Sequence, residues 1–210
     1  MPAFDTDRLK GFGSGPGTLT GVVLAGGLSS RMGHDKASIR PAHDKPEDLL
    51  SRAAALLANC CDNVLVVGRE HPVYHSCLDQ VPGNGPVGGI TTALDTSGTA
   101  CLVLSCDLPF ISAKELNALI AQRESRTEAM LSTAYRQIDT GYIEALVAIY
   151  EYQSLPYFQR CLTEKKLKVS RIVPQERQQF LDYRAEDSLP FFNINYPADL
   201  AVAKLLMGTR

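Results

Sequence analysis

The chain has 210 residues, 45% of them hydrophobic and 21% charged, with 21 basic against 23 acidic side chains for a net charge of −2. This is the composition of a globular chain of about one domain, not of a disordered one. The even charge balance excludes broad electrostatic capture of nucleic acid, which needs a basic face. No apolar run reaches the roughly 18 residues of a membrane span, and the first 20 residues lack the apolar core of a secretory signal.

In chain order, residues 1–19 read as a disordered tail. Gly11, Gly13, Gly15 and Gly17 alternate there with Phe12, Ser14 and Pro16, and no strand precedes them as a dinucleotide fingerprint would require. Residues 20–210 read as one domain. Thr20–Ala25 is a short apolar run ending in Gly26-Gly27, expected as a buried parallel strand. A helix is expected from about Pro46 to Asn59, with Leu49, Leu50, Ala53, Leu56 and Leu57 on one face and Glu47 and Asp48 in its first turn. Asn63–Gly68 is a second buried strand. The Gly/Pro-rich stretch Asp79–Gly89 is a loop, and a helix opens within Val87–Leu94. Thr99–Cys106 is a third buried strand, stopped by Asp107 and Pro109.

Ser112 and Glu115 form a capping box before Leu116, Leu119 and Ile120. Further strands are expected at Ala129–Thr133 and Ile143–Tyr150, a helix at Leu155–Leu167, and a short last strand at Phe191–Ile194. Pro197 opens the C-terminal helix. The six cysteines, among them the adjacent pair Cys60 and Cys61, form no Cys-x-x-Cys and read as reduced thiols of a cytoplasmic protein. Strands alternating with helices give an α/β domain with a mostly parallel, doubly covered sheet. In such sheets a ligand sits beyond the carboxyl ends of the strands, so Gly26–Lys36, Gly68–Glu70 and Asp107–Pro109 should meet.

Four segments carry chemistry. In Leu24-Ala25-Gly26-Gly27-Leu28-Ser29-Ser30-Arg31-Met32-Gly33-His34-Asp35-Lys36, three glycines expose backbone amides that cradle phosphate oxygens, and Arg31 and Lys36 add two cations. The spacing is not that of a Walker loop. Asp107, in Ser105-Cys106-Asp107-Leu108-Pro109, ends a buried strand and points a carboxylate into the ligand crevice, where it could hold Mg²⁺ on a nucleotide phosphate. Asp79 precedes Pro82-Gly83-Asn84-Gly85-Pro86-Val87-Gly88-Gly89, a stretch with few side chains that lets a flat base approach the backbone. Asn193 and Asn195, if extended, share one face, able to donate and accept; Asn195 could equally cap the last helix.

Three other features carry less. His71 and His75 have the i, i+4 spacing of metal ligands, but Pro72 stands where a zinc-protease motif needs Glu. Lys165-Lys166-Leu167-Lys168 reads as a solvated helix end, with a phosphate-attracting patch as its alternative. His34 is flanked by charges and faces solvent.

Together these segments resemble the molybdenum cofactor guanylyltransferase family (the MobA type), within the Rossmann-like nucleotidyltransferases. The resemblance runs over about residues 20–205. LAGGLSSRMGHDK, GNGPVGGI, SCDLPFI and NINYPADL come in the family's order, with IEALVAIY as a fifth block. It implies a three-layer Rossmann-like domain like that of nucleotide-diphospho-sugar transferases. By similarity Leu24, Ala25, Gly26, Gly27, Ser29 and Lys36 bind the triphosphate of GTP with Mg²⁺, and Arg31 lies nearby. Asp79 would contact guanosine beside Gly85 and Pro86. Asp107 would bind both GTP and the metal, and Asn193 and Asn195 would lie near molybdopterin.

The implied reaction moves GMP from GTP to the terminal phosphate of molybdenum-molybdopterin, with Arg31, Lys36 and Asp107 as the catalytic groups. Transient contact with proteins that insert the cofactor or receive it follows from that product; nucleic acid and membranes are not implied. Val66 stands where some members carry an Asn that touches the nucleotide, and Ala145 where many carry Pro. A cytidylyltransferase acting on the same pterin, a sugar-1-phosphate nucleotidyltransferase and a non-catalytic molybdopterin carrier are the alternatives.

Overall fold

A computed structural model describes residues 17–26, 39 and 47–208. Seven strands form one sheet: β1 (Leu19–Leu24), β2 (Asn63–Val67), β3 (His75–Cys77), β4 (Ala100–Ser105), β5 (Ser132–Gln137), β6 (Ile143–Tyr150) and β7 (Gln178–Tyr183), in the order β3-β2-β1-β4-β6-β5-β7. The pairs β2–β3, β1–β2, β1–β4 and β5–β7 are parallel. Only β6 runs against its neighbours. The described residues form five α-helices, α1 (Leu49–Ala58), α2 (Gly85–Ser97), α3 (Ala113–Glu124), α4 (Leu155–Thr163) and α5 (Pro197–Gly208); α1 to α4 cover the sheet, while α5 packs through Ala203 with Leu49 and Ile194.

The period-two alternation of the central strands builds two separate cores. On one face Val23, Val66, Leu102, Leu104 and Ile149 pack with Leu57 of α1 and Leu116 and Leu119 of α3. On the other, Val22, Leu65, Cys101 and Val103 pack with Ile90 and Leu94 of α2 and Phe158 of α4. Cys101 and Cys106 accordingly face opposite sides, and all six cysteines carry free thiols. The three-layer, mostly parallel architecture is the one expected.

Several element boundaries differ from the sequence reading, each for a local reason. Asp48 is the N-cap of α1, its side chain accepting from Ser51 N at 2.7 Å, so it precedes the first turn. The helix α2 starts at Gly85, ahead of Val87, because Pro86 fits a first-turn position that has no amide partner to lose. The strand expected at Ala129–Thr133 is shifted to β5, and α4 stops at Thr163, with Lys165 in the left-handed region at φ 56°. The expected strand Phe191–Ile194 is not one. Leu189–Phe191 is a 3-10 turn, and Ile194 N donates to Asp107 O at 2.9 Å in place of a ladder bond. Two strands escaped the sequence reading: β3 is three residues, His-Ser-Cys, and β7, Gln-Gln-Phe-Leu-Asp-Tyr, is a polar edge strand.

The sheet reverses its winding between β1 and β4, with β2 and β3 on one side and β4 and the rest on the other. Chain leaving the carboxyl ends of β1 and β4 therefore diverges and leaves a crevice. At the opposite end of the sheet a buried ion pair locks α3 to the chain after β6. Arg123 donates to both oxygens of Glu151, at 2.7 and 3.0 Å, and Arg126 adds a third bond at 3.2 Å.

The tightest backbone approach lies under the crevice. Gly68 has φ +102°, and a Cβ there would fall 2.5 Å from Gly26 N. Gly68→Ala should cost about 3 kcal/mol or more, combining left-handed strain with a clash that backbone cannot relieve. Gly141→Ala, at φ +70° with open space around it, should cost about 1 kcal/mol. Urea denaturation of both variants measures this, and equal losses would contradict it.

Candidate active site

The crevice at the winding reversal is lined by Leu24 and Gly26 after β1, Gly68 after β2, Asp79, and Gly85 and Pro86 at the start of α2. Glycine is required here for a physical reason. Gly26 and Gly68 meet backbone to backbone, and a Cβ on Gly89 would come within 2.9 Å of Leu24 Cδ2. Helix α2 can thus lie close on β1, with its N-terminus at the crevice. Asn84 makes no side-chain cap on α2; its amide nitrogen donates to Val81 O at 3.0 Å, and its Oδ1 accepts from Lys165 Nζ at 3.3 Å. The uncapped first-turn amides and the positive end of the helix dipole suit an anion.

Asp79 braces this turn. Its Oδ1 accepts from Val81 N at 2.8 Å and from Thr92 Oγ1 at 3.2 Å. Gly88 gives it room, since a Cβ at Gly88 would lie 2.8 Å from Asp79 Oδ2. Across the crevice, Arg69 Nε donates to Ala25 O at 3.2 Å and ties the ends of β1 and β2 together.

Asp107 stands two residues beyond the end of β4, half-buried. Ser105 Oγ donates to its Oδ1 at 2.6 Å, and its carbonyl accepts from Ile194 N at 2.9 Å. The turn behind it is held by Arg52 of α1, which donates to Leu108 O at 3.5 Å and to Ile111 O at 2.5 Å. Burial pulls the Arg52 guanidinium below its ordinary value, and Glu47 works the other way. An arginine remains charged through such a shift. Among the described residues no group of three His, Cys, Asp or Glu side chains gathers around a point. A single strand-end carboxylate still fits Mg²⁺, which keeps several waters and takes its other oxygens from substrate phosphates.

The Asp107–Ile194 bond brings the asparagine segment beside the crevice. Ile194 is buried, while Asn193 and Asn195 on either side of it are half-buried. Asn193 lines a hollow of about 300 Å³ together with Glu144, Tyr142 and Lys168, and this hollow shares Pro86 and Leu146 with the crevice. Asn195 is not among its lining residues. The backbone amides of Asn195 and Tyr196 both donate to Asp199 Oδ2 at 2.8 Å, so it is Asp199 that caps α5.

Of the residues singled out in the sequence, Leu24, Gly26, Asp79, Gly85 and Pro86 line one crevice. Ala25 lies between two of these lining residues in the chain, Asp107 accepts from the lining Ser105, and Asn193 lies in the adjoining hollow. Gly27, Ser29, Arg31 and Lys36, with His34, lie outside the described residues. His71 serves its own turn, its Nδ1 accepting from Val73 N and Tyr74 N at 3.2 Å. Arg52 and Glu144 escaped the sequence reading, whereas Arg69 lies in the Gly68–Glu70 segment expected at the crevice. Arg52 occupies a helix position like any solvated arginine, and only the fold shows what it holds.

The sequence profile of the MobA-like NTP transferase domain matches residues 21–179. The chain belongs to that family. A protein of Chloroflexus aggregans named "Probable molybdenum cofactor guanylyltransferase" is 30% identical over 205 residues, 91% of this chain and 96% of that protein. A Xanthomonas euvesicatoria protein named "Molybdenum cofactor guanylyltransferase" is 38% identical over 136 residues, 62% of this chain and 70% of its own length. The crystal structure of an Archaeoglobus fulgidus protein described as molybdopterin-guanine dinucleotide biosynthesis protein A superposes with a TM-score of 0.73 at 22% identity, covering 91% of this chain and 100% of that one. At that identity the likeness establishes the fold, and the fold is that of this NTP transferase family.

Replacing Arg52 by Met keeps the aliphatic stem and leaves two loop carbonyls without their donor. Arg52→Met should destabilise the chain by about 1–3 kcal/mol and speed amide exchange over residues 107–111, with α2 unaffected. Unchanged exchange in that loop would remove Arg52 from its support.

Proposed function

We propose that the chain transfers GMP from GTP to the terminal phosphate of molybdenum-molybdopterin, giving the molybdopterin guanine dinucleotide and pyrophosphate. One observation supports this reading: Ser105 lines the Gly26–Asp79–Gly85 crevice and Leu108 the Asn193 hollow, and Asp107 lies between them in the chain, its carboxylate bonded to Ser105 and its carbonyl to the segment that bears Asn193. A donor nucleotide on one side and an acceptor on the other would meet at that carboxylate. The names of the family relatives add the substrate pair.

The acceptor phosphate is already an anion, so no side chain need be activated as a nucleophile. Two anions must be brought together, and the protein's task is alignment and charge cancellation. At roughly 4 Å and an effective dielectric of about 20, one unit charge is worth on the order of 4 kcal/mol, or about three decades of rate if it is realised only in the transition state.

Leu24, Ala25, Gly26, Gly27 and Ser29 present backbone and hydroxyl donors to the triphosphate, and Arg31 and Lys36 neutralise the departing pyrophosphate. Asp107 would hold Mg²⁺, which when bound supplies positive charge at the reacting phosphate. Asp79, beside Gly85 and Pro86, contacts the guanosine. Asn193, Asn195 and the ammonium of Lys168 serve the acceptor. No helix among the described residues is long and apolar enough to cross a membrane. We assign the reaction to the cytoplasm, with the product passed to proteins that insert the cofactor.

Calorimetric titration with GTP and with CTP, each with Mg²⁺, tests the donor. GTP should bind at least tenfold more tightly, and a preference for CTP would make the chain a cytidylyltransferase. Pterin binding without GTP binding would make it a carrier. Lys36→Ala and Asp107→Asn should each lower turnover about a hundredfold or more while the unfolding midpoint stays within a few degrees. A near-normal rate in either variant would remove that residue from the mechanism.

A further inference from the structure

The strand β6 pairs with β4 from Val147 to Tyr150, with Val147 opposite Leu104, so its first three residues, Ile143–Ala145, lie past the end of β4 at Ser105. The second of them, Glu144, is a carboxylate only 9% exposed, and it borders the same hollow as Asn193 and Lys168. Its Oε1 accepts from Tyr183 OH at 2.6 Å. The Tyr183 ring is itself fixed, 4.5 Å from the Phe191 ring and 6.3 Å from Tyr135. Asn193 joins this assembly through Nδ2, which donates to Phe191 O at 3.3 Å.

No hydrogen bond or ion pair to Glu144 Oε2 forms among the described residues. Burial pushes the carboxyl up, and the Tyr183 hydrogen bond holds it down. Glu144 Oε2 is not among the fully buried unpartnered atoms, so one oxygen is oriented by Tyr183 while the other stays open to donors from a ligand. Its position at a hollow wall leaves room for them.

Two neighbouring N–H groups on one planar edge are the best match for a carboxylate, because both oxygens can accept in parallel. A 2-amino-4-oxopyrimidine offers such an edge: the exocyclic amine and the adjacent ring N–H. Oε1 keeps a lone pair for one of them after accepting from Tyr183. Pterins and guanine share this edge. Glu144 lines the hollow of Asn193 and not the crevice of Gly26 and Asp79, which favours the acceptor's pterin. We propose that Glu144, oriented by Tyr183, recognises the 2-amino-4-oxopyrimidine edge of the pterin acceptor. This rests on the acceptor reading of the hollow given above. Glu144 is then a specificity residue, and Tyr183 a positioning residue.

The test compares 6-hydroxymethylpterin phosphate with its lumazine counterpart, in which a 2-oxo group replaces the amine, by calorimetric titration of the full chain. The unmodified protein should bind the pterin at least about tenfold more tightly. Glu144→Gln, which is isosteric and can still accept from Tyr183, should bring the ratio close to one and leave GTP affinity within twofold. Tyr183→Phe should reduce the ratio several-fold without abolishing it. A ratio that survives Glu144→Gln overturns the proposal. So does an unmodified protein that binds GTP but does not prefer the pterin. Loss of GTP affinity in Glu144→Gln with the pterin ratio intact would also overturn it and assign the edge to guanine. Failure of the unmodified protein to bind GTP at all would count instead against the guanylyltransferase reading.

Discussion

The ends of β1 and β2 approach so closely that Gly26 and Gly68 touch backbone to backbone. Everything at the carboxyl edge of the sheet depends on this contact. Two side chains there would force the strand ends apart and fill the space between them. With hydrogens in place of side chains, the two strand ends can lie against each other and leave the space beside them open. Gly89 repeats the device one layer away, letting α2 settle on Leu24 so that its amino end reaches the same space. These two contacts, made by three glycines, open a crevice at the edge of the parallel sheet with the amino end of α2 beside it.

The Asp107 turn is fixed from three directions. Ser105 orients the carboxylate, Ile194 fixes the backbone, and Arg52 gathers the carbonyls behind it. The bond to Ile194 does the most for the architecture. It couples the end of a central strand to a segment 87 residues later in the chain, and so ties the strand end beside the crevice to the segment that lines the Asn193 hollow. In the proposed reaction, which must align two anions, such a tie would help to hold the two groups in place.

Val66 shows how a chain can depart from a family pattern without disturbing this arrangement. It is fully buried on the face that α1 and α3 cover, and it packs with Leu57 and Leu102. Its side chain belongs to the core, which leaves base recognition in the proposed mechanism to Asp79 and the start of α2. Ala145 sits in the part of β6 that overhangs β4, where its carbonyl accepts from Tyr150 OH at 2.8 Å. The overhang is thus held by its own strand.

The sequence by itself determined the layered α/β class, the central strands β1, β2, β4 and β6, the capping box of α3 and the crevice residues around Gly26, Gly85 and Asp107. These follow from local causes: apolar runs of strand length, cap chemistry, and glycine where backbone must turn or approach closely. The edge strands β3 and β7 were not legible, because a short or polar strand owes its conformation to the neighbour it pairs with. The segment around Asn193 read as a strand from its own alternation, yet its backbone donor had a better partner at Asp107. Arg52 and Glu144 were equally silent, since their own charge does not distinguish them from surface charges. Their roles arise only where helices and strands distant in sequence meet, and it is burial among those partners that turns an ordinary charge into a clamp or a recognition group.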